Sequence, residues 1–137
     1  MPEIRSEKGE LLAVHIPAQA SRATEGSQFY SADEDFIQLA THRYSAGKEF
    51  VAHQHHAVER QATLTQEVLI LQEGAMQAAI FDLEKKMVAS FTMEKGDVIM
   101  LLKGGHGFTV LSDDTQFLEV KNGPYLGAEV DRFRLFQ

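Results

Sequence analysis

From Phe36 onward the chain is a succession of short apolar or alternating runs cut by turn residues: 36 to 45, 49 to 55, 67 to 73, 75 to 83, 87 to 93, 97 to 102, 107 to 111 and 116 to 121. None of them holds the helical period over the ten or so residues that would favour a helix, and Gly47, Gly74, Gly96 and Asp113 bound several of them. Such a chain can bury its apolar side chains only by pairing strands, so the sequence predicts an all-β fold, a sandwich or barrel, with no helix. Residues 1–35 are more polar: Leu11–Ile16 reads as an edge strand and Pro17–Ser27 as a loop, together an N-terminal arm beside a barrel of 36–137.

Two runs say more than their length. In 67–73, Leu69 and Leu71 share one face and Val68 and Ile70 the other, and Val98–Leu102 has the same two-sided character. One face lines a core and the other needs cover. A second copy of the chain is the expected cover, giving a homodimer; the N-terminal arm is the competing one.

A chain of 137 residues has room for one domain. Its net charge of −7 opposes a polyanion, which argues against nucleic acid as a partner. No stretch approaches the roughly 18 apolar residues of a membrane span, and the opening MPEIRSEKGE has no apolar signal region, so no membrane partner and a cytoplasmic address are expected. The absence of cysteine removes disulfides, thiolate ligands and thiol nucleophiles, leaving His, Asp and Glu for any metal site.

Three of the six histidines crowd into His53, His55 and His56. On a strand, positions i and i+2 share a face, so His53 and His55 can converge on one ion, with Val51 on the same parity and His56 turned away. Glu67 shares parity with Leu69 and Leu71, and His106 with Phe108 and Val110, which points both inward. Three separate segments thus offer four ligands, His53, His55, Glu67 and His106, for one divalent transition metal: Fe, Mn, Zn, Ni or Cu, among which nitrogen and oxygen donors do not choose. Their alternative is a metal-free hydrogen-bonded cluster, because buried polar groups without partners cost several kcal/mol. Arg60, Tyr44 and His42 are candidate substrate contacts, each with a plainer reading as a surface or core residue; His15 reads as a plain surface or core histidine, and His56 as a loop residue, a group that orients a ligand, or a substrate contact.

These residues resemble the motifs of the cupin superfamily. Its first motif, G-x5-H-x-H followed by E-x6-G, is met by Gly47, His53, His55, Glu67 and Gly74; its second, G-x5-P-x-G-x2-H-x3-N, by Gly96, Gly104 and His106. There are departures. Eleven residues separate His55 from Glu67 where three or four are usual, Leu102 stands for the proline with one residue fewer before the histidine, and Val110 replaces the asparagine. Glu59 sits at the more usual distance from His55, but Gln66 rather than glycine follows it at the E-x6-G position. The resemblance covers about residues 36–121 and implies a single-domain cupin-type jelly-roll β-barrel, a double-stranded β-helix, binding one metal. It implies either a metal-dependent enzyme acting on a small polar substrate, through dioxygenase or sugar isomerase or epimerase chemistry, or a non-catalytic module that binds a sugar or small acid. Catalytic residues beyond the ligands are not identified by it.

Overall fold

A computed structural model describes residues 3–136. The chain is predominantly β. Its strands are β1 (Glu3–Arg5), β2 (Leu11–Ile16), β3 (Gly26–Phe29), β4 (Ala40–Arg43), β5 (Glu67–Glu73), β6 (Ala75–Phe81), β7 (Met87–Glu94), β8 (Val98–Leu101), β9 (Gly105–Val110) and β10 (Gln116–Lys121). Two short helices interrupt them, α1 (Ala18–Arg22) and α2 (Ala128–Asp131), where sequence periodicity predicts none. Both are too short to carry a period. Among the described residues no helix is long and apolar enough to cross a membrane.

The strands form a five-stranded sheet in the order β1-β2-β8-β5-β10, a three-stranded sheet β7-β6-β9, and the hairpin β3-β4. All pairings between them are antiparallel. The two larger sheets pack face to face through one core. Leu69, Leu71, Ile99 and Leu101 from the first meet Met76, Ala78, Ile80 and Met93 from the second, all buried, and each of the Leu, Ile and Met side chains contributes about 1.5–3 kcal/mol by leaving water. The sheets are not joined into a closed barrel among the described residues: β9 ends one sheet and β10 the other.

The outer face of the larger sheet is covered from within the chain. Tyr30 and Ile37, with Leu39, pack on Val14, Ile16, Val68, Met100 and Leu102. The apolar second face that the sequence assigns to a dimer contact therefore has a cover of its own. Leu11–Ile16 is also not an edge: β2 has β1 on one side and β8 on the other, and the edge falls to β1. That pairing joins segments far apart in the chain, which local alternation does not encode.

The strand expected over 49–55 is not formed. Residues 44–66 contain no strand or helix, and every residue from His42 to Leu64 is exposed. Among the described residues, 49–63 make no backbone–backbone hydrogen bond, so no main-chain ladder ties this segment to the sheets.

Candidate functional site

Glu67 opens β5 between two partners, opposite Leu101 of β8 and Lys121 of β10. Its start is held by Gln66, which is buried. The Gln66 backbone N–H donates to Asn122 Oδ1 at 2.7 Å, and its Oε1 accepts from the Ile37 N–H at 2.9 Å. Asn122 in turn donates from Nδ2 to the Leu64 carbonyl at 3.1 Å. The long exposed segment is thus pinned immediately before Glu67.

His106 lies on β9, opposite Ile80 of β6, in the other sheet. The chain enters this strand through Gly104 at φ +78°, where an added Cβ would stand 2.4 Å from the Phe81 carbonyl oxygen. Only glycine tolerates both the backbone conformation and that approach. With the two sheets facing each other, His106 Nε2 comes to 3.1 Å from Glu67 Oε2. Lys121 Nζ stands 3.7 Å from the other carboxylate oxygen and 3.9 Å from Glu119 Oε2. The Glu67 side chain is 12% exposed and that of His106 37%, so the pair sits at the rim of the core with one side open.

The His106 imidazole beside it holds the Glu67 carboxyl below its ordinary value of 4.5; burial opposes this, and Lys121 adds to the lowering. A carboxylate so held is an acceptor at neutral pH and a poor proton donor.

The other two expected ligands lie elsewhere. His53 and His55 are neighbours, their rings 5.2 Å apart at 73°, but both are on the exposed segment, and His53 Nδ1 bonds the Val51 carbonyl at 3.0 Å. Among the described residues no three His, Asp or Glu side chains are gathered as metal donors. The four expected ligands therefore stand as two pairs, one on the sheets and one on the segment. In kind, two imidazoles on one side and an imidazole with a carboxylate on the other are donors that suit a divalent transition metal.

The remaining candidates fall away from Glu67. His42 Nδ1 and the Tyr44 hydroxyl each lie 2.8 Å from Ser27 Oγ, and His42 meets Phe29 and Phe50 edge-on at 6.1 Å. These residues form an exposed cluster on the β3-β4 hairpin. Arg60 reaches the Val58 carbonyl at 3.4 Å, and His56 and Glu59 are exposed on the same segment. His15 is structural: its Nε2 is 2.9 Å from Asp97 Oδ2 and its ring stacks on Phe91 at 4.5 Å, while Asp97 also accepts from the Ala18 and Glu94 amides.

Sequence reasoning missed Lys121 and Glu119. The signal was present, since in Gln116–Lys121 the alternation sets Phe117, Glu119 and Lys121 on one face of the strand that pairs with Glu67. Gly123-Pro124-Tyr125 reads in the sequence as a turn that packs the C-terminal tail on the barrel, and a C-terminal arm does follow it. That arm crosses to the second sheet, where Leu135 packs so closely on Gly105 that a Cβ there would meet it at 2.3 Å, and Phe136 meets Phe81 at 5.4 Å. In comparisons with family models, curated proteins and solved structures, the chain matches none.

Proposed function

We propose that this chain is a metal-binding protein of the cupin type, in which Glu67 and His106 are one half of a site for a single divalent transition metal and His53 and His55 the other. The observation that carries the reading is the meeting of Glu67 and His106 across the facing sheets, on the parity their motifs imply. Completing the site requires the segment that bears His53 and His55 to lie against the sheets, and the open side of β9 beside His106 is available to it.

When bound, such an ion would polarise a substrate carbonyl or hold a small substrate and dioxygen side by side, the isomerase and dioxygenase chemistries respectively. The chain's own groups set the surroundings. Glu67 is kept ionised as an oxygen donor, Phe108 and the core behind it keep water from one side, and Lys121 and Glu119 offer a cation and an exposed carboxylate next to the pair. Glu119 is the group we assign to accept a proton in an isomerisation.

A second reading, a non-catalytic module binding a sugar or small acid, is favoured by one observation: both Glu67 carboxylate oxygens have a protein partner, His106 and Lys121.

Elemental analysis of untagged protein kept from chelators tests the first reading. We expect close to one equivalent of transition metal, lost in His106→Ala and in His53→Ala, and slower amide hydrogen exchange over 49–63 when Zn(II) or Ni(II) is added to the stripped wild type. Metal-free protein whose exchange is untouched by either ion would leave the second reading.

For the partner, we propose a second copy of the chain at β10. Its outer side is unpaired, and Phe117, Leu118 and Val120 are 41%, 48% and 55% exposed. An open apolar edge of this kind is a template for pairing. Light scattering at micromolar concentration should give a dimer mass that falls towards the monomer in Leu118→Lys; a wild-type monomer would refute it.

A further inference from the structure

Where β10 ends, the chain turns back through Tyr125 into α2, and between strand end and arm lies a depression of about 330 Å³ lined by Lys121, Tyr125, Ala128, Asp131 and Arg132. Lys121 belongs to this depression and to the Glu67 pair at once: its ammonium is 3.7 Å from Glu67 Oε1 and 6.0 Å from the Tyr125 ring centre. The depression therefore adjoins the candidate site.

We propose that this depression is an oxyanion subsite, in which Lys121 and Arg132 take the carboxylate or phosphate group of a small molecule whose remainder extends to Glu67 and His106. The lining supports it, Arg132 above all. Of the charged residues lining the hollow, two are cations and one is an anion, and that anion, Asp131, already accepts a hydrogen bond from Thr65 Oγ1. Among the described residues the Arg132 guanidinium has no carboxylate within ion-pair distance. Its planar fork of N–H donors matches two oxygens of a carboxylate or phosphate, which a lysine matches only as a point charge. Lys121, held by long contacts to two carboxylates, has donors left to turn toward a ligand.

The rest of the molecule sharpens the assignment. With a net charge of −7 the protein repels anions at a distance, so an anion is retained only where cations converge locally, and its binding weakens as salt screens them. A second hollow, of about 240 Å³, is lined by Ser6, Glu7, Lys8, Asp82, Glu84 and Lys86, where three carboxylates face two lysines. It has the wrong sign for the same ligand. Anion binding in the first hollow is independent of any metal; only the statement that the remainder of the ligand reaches Glu67 and His106 rests on the proposed function.

The test uses the full chain, stripped of metal and labelled with nitrogen-15, at low ionic strength. Inorganic phosphate, malonate and, as a neutral control, glycerol are titrated separately while amide shifts are followed. We expect saturable shifts concentrated at 121, 125, 128, 131 and 132 with phosphate or malonate and none with glycerol, and affinity reduced at least about tenfold in Arg132→Gln and in Lys121→Gln. Arg132 is exposed, so its variant should keep the wild-type spectrum elsewhere. Tighter phosphate binding identifies a phosphate ester as the ligand class, and tighter malonate binding a carboxylic acid. Absence of saturable shifts, an equal response to glycerol, or unchanged affinity in both variants overturns the subsite. Addition of Zn(II) in the same series reports separately on 67 and 106, so loss of the metal reading and loss of the anion subsite are distinguishable.

Discussion

Two stretches of this chain have similar sequence patterns and different structures. Residues 67–73 are a short apolar run between turn residues and form β5, paired on both sides by β8 and β10. Residues 49–55 are such a run as well, carry the densest histidines, and form nothing: they are exposed and make no backbone–backbone hydrogen bond among the described residues. Alternation specifies which side chains share a face once a strand exists. Whether the strand exists depends on partners for its backbone and cover for its apolar face, and only the first stretch has both. The consequence is functional as much as structural, because Glu67 and His106 are held by sheets while His53 and His55 are held by a peptide in water.

The largest break that can be forced between the two stretches is in stability. Leu71 is fully buried in the core between the sheets, so Leu71→Ala should cost about 2–5 kcal/mol for lost burial and the cavity left behind. Val51 is 81% exposed, so Val51→Ala should stay within about 0.5 kcal/mol. Urea unfolding followed by circular dichroism measures both. A cost for Val51→Ala near that for Leu71→Ala would mean that the segment packs as a strand in solution, and the contrast would be gone.

How much of this was legible in the residues follows the same division. The bounds of β2, β5 and β10 coincide with the runs Leu11–Ile16, 67–73 and 116–121, because each is a short apolar or alternating run with a turn residue at its border and finds a partner strand. The place of β2 inside the sheet was not legible: its partner β8 lies at the far end of the chain, and pairing at that separation leaves no local mark. Glu67 and His106 were legible as inward-facing through Leu69 and Phe108, and the structure brings them into contact. The position of His53 and His55 was not, since their spacing describes a strand that would need an edge to pair with. Lys121 was overlooked although its parity with Phe117 was readable, because a lysine closing an exposed-looking strand carries no signature until its opposite residue, Glu67, is known.

A smaller effect sharpens the sheet-bound half of the comparison. Because His106 from β9, and to a lesser degree Lys121 from β10, hold the folded Glu67 carboxyl below 4.5, the folded state releases this proton more readily than the unfolded chain does. Glu67 ionisation therefore adds stability that is fully present above about the unfolded carboxyl value and is lost as pH falls through the lower folded one. The neighbours facing it are His106, Lys121 and Glu119; a hydrogen bond with Glu119 adds to the lowering, and burial is the cause that opposes it. Glu67→Gln should flatten the acid limb of the stability curve between pH 5 and the folded value while leaving the neutral plateau lower, whereas Glu59→Gln, on the exposed segment, should leave both as in wild type. Urea midpoints collected at intervals from pH 7 down to pH 3 decide it. If the two variants track each other, Glu67 and His106 do not meet in solution, and the sheets hold the candidate site no better than the segment does.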